Sequence, residues 1–206
     1  MQRIILHLDL DYFYAQVEEA RKPEIKNKPV VICQYSGRSE DSGAVATTNY
    51  IARKFNVKSG LAIKTAKKLL QNTDSVFIPA NHELYESISE TIMNIIRKYS
   101  DKFEQLSIDE ACIDISNKIN NDYQNATKYG NELKEEIKTL ENLTCSIGIS
   151  PNKLISKMAA DSNKPNGTTI ILPDKVKDFL FPQKVNKLYG IGPKTNAKLA
   201  EFNITT

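Results

Sequence analysis

Two stretches decide how this chain is read: Ile4-Ile5-Leu6-His7-Leu8-Asp9-Leu10-Asp11 near the start and Leu106-Ser107-Ile108-Asp109-Glu110-Ala111-Cys112-Ile113 in the middle. Each reads as an apolar strand interrupted or ended by carboxylates. A carboxylate buried in such surroundings is strongly unfavourable unless a cation compensates it, so two strands that both deliver acids imply a shared counter-ion. An all-oxygen set of Asp and Glu selects Mg2+ or Mn2+ over Zn2+. One lone Asp at a strand end is more often a solvated turn former; it is the pair of segments that favours a site.

Working outward, Arg3–Asp9 is strand-like and Tyr12–Ala20 reads as a helix opening directly after the acids. Pro29–Cys33 is a second, β-branched strand, followed by a polar loop, Ser36-Gly37-Arg38-Ser39-Glu40-Asp41-Ser42-Gly43. Short strands and small helices then alternate to about Pro79. Leu84, Ile88, Ile92, Ile95, Ile96 and Tyr99 recur at helical spacing, as do Tyr129, Leu133, Ile137 and Leu140, which predicts two amphipathic helices. Phe103–Ser107, Ala111–Ile115 and Leu143–Ile149 are strand-like. The resulting order predicts an α+β fold with an antiparallel-containing sheet of about four strands and two helices on one face. It also puts Asp109-Glu110 at a hairpin turn, where they can converge on the end of the Asp9 strand.

The net charge of +3 conceals a segregation. Residues 1–20 carry −3, 21–70 carry +8, 71–150 carry −7 and 151–206 carry +5. An acidic block between basic ones suits a metal centre flanked by lobes that hold polyanions, although any single Lys-rich stretch is equally a solvated helix face. Cys33, Cys112 and Cys145 are widely spaced in apolar contexts, which predicts buried free thiols. No apolar run approaches membrane-spanning length, so the expectation is a soluble, cytoplasmic protein with no membrane partner; a monomer is expected. Near the end, Tyr189-Gly190-Ile191-Gly192-Pro193-Lys194 reads as a tight turn between two helices, whose exposed amides at a helix start suit a nucleic-acid phosphate.

Together with Leu8–Glu18, Gly43–Arg53, Ser107–Ala111, Ser146–Ser150 and Lys164–Gly167, these segments resemble the Y-family lesion-bypass DNA polymerases, in their polymerase IV (DinB-like) branch of archaeal type. The resemblance implies a ferredoxin-like palm (residues 1–11 and 79–168), a small α/β fingers insertion (12–78) and a partial helix-hairpin-helix thumb (169–206). The family's remaining thumb and little finger lie outside it, so the chain is expected to be a catalytic-core fragment. The implied activity is template-directed DNA synthesis in translesion repair, with dNTP and primer–template DNA as partners and a sliding clamp engaged through the family's C-terminal region. Asp9, Asp109, Glu110 and the Leu10 carbonyl are implied as ligands of two Mg2+ ions, with Mn2+ as substitute. Asp11 is read instead as a helix N-cap.

The resemblance further assigns the amides of Tyr12 and Phe13, and the side chains of Thr47, Tyr50, Arg53 and Lys164, to the nucleotide triphosphate. Tyr14 becomes a steric gate against a ribose 2′-hydroxyl, and Ala44 and Ala46 leave room above the nascent base pair. Gly190, Gly192 and Lys194 are assigned to DNA. From the residues alone, Tyr12, Phe13 and Tyr14 read as core aromatics and Arg53 as a helix-surface residue. The competing functions are a nucleotidyl cyclase on a related palm and a non-catalytic DNA-binding paralogue.

Overall fold

The computed structural model describes residues 3–39 and 41–206; Glu40 of the expected polar loop lies outside them. The chain divides into two compact units, one of residues 3–9, 92–140 and 144–206, the other of residues 10–91 and 141–143.

The first unit is built on a five-stranded sheet in the order β5-β6-β1-β7-β8. Its strands are β1 (Ile5–Leu10), β5 (Lys102–Gln105), β6 (Glu110–Asp114), β7 (Cys145–Ser150) and β8 (Thr168–Ile170). All six residues of β1 are buried, as its central position requires. β1 and β6 run antiparallel with Ile5 opposite Asp114, His7 opposite Cys112 and Asp9 opposite Glu110. β5 and β6 form the expected hairpin, and β7 pairs with β8 in parallel.

The helices of this sheet are the C-terminal part of α4 (His82–Lys98), α5 (Ala126–Glu141) and α6 (Lys153–Ser162). α4 and α5 adjoin through Tyr99, whose hydroxyl donates to Glu136 at 2.7 Å and whose carbonyl accepts from the Tyr129 hydroxyl at 2.9 Å. Gly130 of α5 faces the side chains of Ile147 and Ile149, whereas Gly148 faces the backbone of α6. Because side chains alternate along a strand, α5 and α6 cover opposite faces of the sheet. The expectation of about four strands and two helices on one face is therefore extended by β8 and by α6 on the other face. A start signal for α6 is present in the sequence: the Asn152 side chain caps it by accepting from the Ile155 amide at 3.0 Å.

Expected and observed strand ends differ by one or two residues, as fraying and pairing geometry dictate. After Ile171 come α7 (Val176–Leu180), a 3₁₀ turn at Val185–Lys187 and α8 (Pro193–Glu201). Val176, Phe179 and Leu180 pack on Ile155, Ala159 and Ile171. The Gly190-Ile191-Gly192 turn thus follows a three-residue 3₁₀ turn rather than a full helix, with Gly190 at φ +93°.

The second unit holds α1 (Phe13–Arg21), β2 (Val30–Tyr35), β3 (Gly43–Thr48), α2 (Tyr50–Arg53), α3 (Ile63–Leu69) and β4 (Val76–Pro79), together with the first turns of α4. Its sheet has the order β3-β2-β4, antiparallel at β2/β3 and parallel at β2/β4. Val31, Cys33, Val45, Ala52, Val57, Ile63, Ala66 and Leu70 form its core. All three cysteines are buried free thiols, as expected. No helix among the described residues is long and apolar enough to cross a membrane.

The closeness of α6 to β7 depends on Gly148, where a Cβ would lie 1.9 Å from the Ser156 carbonyl oxygen and 2.4 Å from the Ala160 nitrogen. Gly148→Ala is expected to lower stability by about 2 kcal/mol or more, because both clashing groups are backbone. Gly130→Ala meets only side chains at 3.5 Å or beyond and removes a helix-interior glycine, so it should raise stability by roughly 0.5–1 kcal/mol. Urea unfolding midpoints of the two variants, moving in opposite directions, check that α6 lies on the backbone of β7 whereas α5 leaves room for a methyl group.

Candidate active site

Alternation along β1 sends His7 and Asp9 to the same face, and the β1/β6 register sets Glu110 opposite Asp9. The ligand atoms of these three residues all lie within 4.8 Å of one another. α6 and the turn after it cover this face. Lys157 donates to Glu110 Oε1 at 2.7 Å, and Lys164 bridges Asp9 and Asp161, the latter at 2.9 Å. The Lys157 ammonium also lies 5.3 Å from the centre of the Tyr189 ring. The buried acids predicted from the sequence are therefore compensated here by two lysines.

Burial pushes the Asp9 carboxyl up to about 7, helped by Glu110 and Asp109 and opposed by Lys164. Burial alone would also raise Glu110, but the hydrogen bond and charge of Lys157 outweigh it and hold this acid below its ordinary value. Burial disfavours the charged form of Lys164, yet Asp9 and Asp161 more than reverse this and keep it charged. His7 is driven down to about 4 by burial and by Lys157, so its ring is neutral at pH 7 and forms no ion pair with Glu110. At 3.7 Å from Glu110 Oε2 it is also beyond hydrogen-bond reach.

Of the predicted acids, Asp9 and Glu110 are brought together. Asp109 sits in the hairpin turn just before β6, its carboxylate accepting from the Ser107 hydroxyl at 2.6 Å, and its charge still raises Asp9. Leu10 ends β1. Asp11 is not the helix cap. Tyr12 occupies that position with φ 37° and ψ 45° and no side-chain cap, while Asp11 is fully buried and its carbonyl accepts from Gln16 Nε2 at 2.6 Å. The chain must turn sharply from strand to helix at this point. The left-handed conformation at Tyr12 supplies that turn and displaces the cap by one residue.

Within the second unit, the Tyr12 hydroxyl donates to Glu19 at 3.1 Å and its ring meets Tyr50 edge-on at 5.1 Å. The Arg53 guanidinium lies 4.7 Å from the Tyr50 ring centre, and its Nε donates to the Thr48 carbonyl at 3.2 Å. Arg53 is thus exposed but anchored. Thr47 is half-buried on β3. Phe13 is buried, whereas Tyr14 is half-buried and stacks on Tyr85 at 4.2 Å and 15°. Ala44 is exposed and Ala46 half-buried on β3. Gly190, Gly192 and Lys194 are exposed at the start of α8.

Residues 8–161 match the impB/mucB/samB family, a span that takes in Asp9, Asp109, Glu110 and Lys157. The chain belongs to that family. Residues 173–204 match the IMS family HHH motif, which takes in α7, the 3₁₀ turn and α8. DNA polymerase IV of Methanosarcina acetivorans is 51% identical over 100% of this chain and 57% of its own length. DNA polymerase IV of Saccharolobus solfataricus is 49% identical over 98% of this chain and 56% of its own. Among solved structures, the insertion ternary complex of Dbh DNA polymerase superposes with a TM-score of 0.93 at 41% identity, covering 98% of this chain and 58% of that one. DinB from Sulfolobus solfataricus superposes with a TM-score of 0.93 at 40% identity, with the same coverage. The chain spans a little over half the length of the relatives it matches.

His7, Lys157 and Asp161 were not singled out from the sequence. His7 had a signal, its two-residue spacing from Asp9, but it looked like a core residue inside an apolar run. Lys157 and Asp161 had none, because they reach the acids through tertiary packing. Lys164, assigned to phosphate from the resemblance, lies on Asp9.

The ion pair at Asp9 can be tested directly. Lys164→Met should lower stability by about 1–3 kcal/mol at pH 8, where the buried Asp9 must either stay ionised without a partner or take up a proton against the solution pH. A carboxyl whose folded pKa is raised loses stability as pH climbs through that value, so the deficit should shrink between pH 8 and pH 5 as Asp9 takes a proton. Equal deficits at both pH values in denaturant titrations would show that Lys164 is not what neutralises Asp9.

Proposed function

We propose that this chain is the catalytic core of a template-directed, lesion-bypass DNA polymerase that joins a dNTP to a primer 3′-hydroxyl and releases pyrophosphate. The observation that carries the reading is the facing of Asp9 and Glu110 across β1 and β6, in a chain whose relatives are named DNA polymerase IV. On this reading residues 1–11 and 79–168 are the palm, 12–78 the fingers and 169–206 the start of the thumb. The division of the chain, with one unit containing all of 12–78, supports this assignment.

Asp9, Asp109, Glu110 and the Leu10 carbonyl would hold two divalent ions, Mg2+ with Mn2+ as substitute. Two of the carboxylates already fit such ions: Asp9 is buried and Glu110 half-buried, they converge, and the cations now beside them are lysine ammonium groups; Asp109 is half-buried in the adjoining turn. When bound, such ions lower the pKa of the attacking hydroxyl and offset charge on the phosphate and pyrophosphate. The protein's own groups do the rest. Thr47, Tyr50, Arg53 and the amides of Tyr12 and Phe13 hold triphosphate oxygens, and Lys164 exchanges its acid partner for a phosphate. Gly190, Gly192 and Lys194 hold the DNA backbone at the start of α8.

Asp9→Ala, Asp109→Ala and Glu110→Ala should each reduce metal-dependent dNTP incorporation by about a thousandfold or more, a loss of roughly 4 kcal/mol of transition-state stabilisation. Primer extension beside circular dichroism separates lost chemistry from lost fold. Undiminished turnover in any of the three removes that acid from the site.

Tyr14 is suited to discriminate sugars because it rests on Tyr85, whose hydroxyl donates to Glu18 at 3.0 Å. Tyr14→Ala should raise rNTP use relative to dNTP by about a hundredfold, since the exclusion is steric and the vacated ring volume admits the 2′-hydroxyl. An unchanged dNTP-to-rNTP ratio in steady-state incorporation would make Tyr14 a packing residue only.

A further inference from the structure

Tyr189 is 63% exposed, yet its ring is engaged: the Lys157 ammonium lies 5.3 Å from its centre. The same ammonium donates to Glu110 Oε1 at 2.7 Å, and the Lys157 side chain is only 12% exposed. Tyr189 also belongs to the turn that presents Gly190 and Gly192. The Ile191 amide donates to the Leu188 carbonyl at 3.0 Å, which closes the turn over Tyr189 and Gly190, and Gly190 supplies the positive φ of +93° at its third position. The placement of the ring is thus tied to the backbone of the turn. Packing does not clamp it, because with Met158, Phe179 and Gln183 it borders a cavity of about 550 Å³. A ring with space beside it rests where an attraction holds it, and here the ammonium supplies that attraction.

We infer that Tyr189 is a positioning residue: the turn that holds the DNA backbone orients Lys157 through the Tyr189 ring, and Lys157 in turn orients the Glu110 carboxylate. This role rests on the polymerase reading and deepens it, because it joins the DNA-holding turn to an acid of the active site by contacts within one compact unit. The chemistry of the link is specific. A ring face attracts a cation through its quadrupole, an attraction that survives loss of the phenol hydroxyl but not replacement of the ring by an aliphatic side chain. Lys157 carries its donors on a flexible stem, so its direction is set by the partners at its head. DNA on the amides of the turn stills Tyr189, keeps the ring on the ammonium and leaves Glu110 in one orientation; without DNA the same chain of contacts is looser.

Two measurements on the full chain test this role. In the first, lysine is labelled with 13C at Cε and observed by NMR without metal or dNTP. One lysine signal should be displaced by the ring current of Tyr189, vanish in Lys157→Met and return to the ordinary lysine position in Tyr189→Leu; adding a primer–template duplex to the wild type should increase its displacement. The response to Tyr189→Leu identifies the signal even if Lys157→Met folds poorly. In the second, incorporation of one dNTP is followed in a single turnover with DNA, dNTP and Mg2+ saturating. Tyr189→Leu should slow it about fivefold and change duplex affinity by about twofold or less, whereas Tyr189→Phe, which keeps the ring face, should retain the wild-type rate. In the Lys157→Met background Tyr189→Leu should have no further effect, because the two residues act through one contact. A Lys157 signal indifferent to duplex, a Tyr189→Leu defect confined to duplex affinity, or one that persists in full beside Lys157→Met overturns the role of Tyr189 and leaves the polymerase reading intact. A wild-type chain that binds duplex and shifts the Lys157 signal but extends no primer overturns the polymerase reading instead.

Discussion

The pairing of β1 with β6 in the register that faces Asp9 with Glu110 is the constraint on which the first unit depends. Two acids at adjacent positions of a sheet interior repel each other and lose their hydration, and either effect alone would unfold a marginal strand pair. A slip by one residue would relieve this by turning Asp9 to the other face, but it would also drive Leu6, Leu8 and Leu10 onto the polar side. The apolar half of the strand therefore enforces the acidic half. What remains is to neutralise the acids in place.

Neutralisation comes from α6 and the turn after it, and it works only because α6 lies almost on the backbone of β7. Gly148 permits that approach. A wider interlayer distance would still bury Ile155 and Ala159, but it would draw Lys157 away from Glu110. A glycine in one strand thus sets the electrostatics of the two beside it.

The sequence made β1, the β5–β6 hairpin and the amphipathic α4 and α5 legible, because each carries a strong periodic pattern or an apolar run broken by acids. It hid α6 as an element of the site. Its pattern of Leu154, Ile155, Met158 and Ala159 is short; Lys157 looked like any solvated lysine and Lys164 was assigned to phosphate through the resemblance, and folding brings them to acids 47 and 155 residues away. The reading of Asp11 as a cap failed for a local reason, since Tyr12 takes a left-handed conformation rare outside glycine and asparagine. His7 was visible but ambiguous. A histidine in an apolar strand is ordinarily a satisfied core residue, and only the structure reveals that both of its nitrogens lack partners.

Four buried or half-buried acids of this chain are handled in two ways, and the contrast separates scaffold from chemistry. Glu19 accepts from neutral donors, the Tyr12 hydroxyl and the Asn49 amide, the latter at 2.7 Å. Asn49 at the same time accepts from the amides of Val30 and Ala52, so α1, β2 and α2 are joined through one side chain. Glu18 accepts from the Tyr85 hydroxyl as well as from Lys22. Burial and the nearby acids hold both phenols well above their usual pKa, so they remain donors across the physiological range. Such contacts are short-ranged, directional and fixed by packing on both sides, which suits acids whose task is to hold helices. Asp9 and Glu110 are held by Lys164 and Lys157 rather than by the phenols that Glu18 and Glu19 accept from, and a lysine ammonium sits on a four-carbon stem with rotatable donors. A mobile cation can be replaced by another cation without repacking anything, whereas a buried tyrosine cannot leave. The acids of β1 and β6 are therefore compensated in the one manner that keeps them exchangeable.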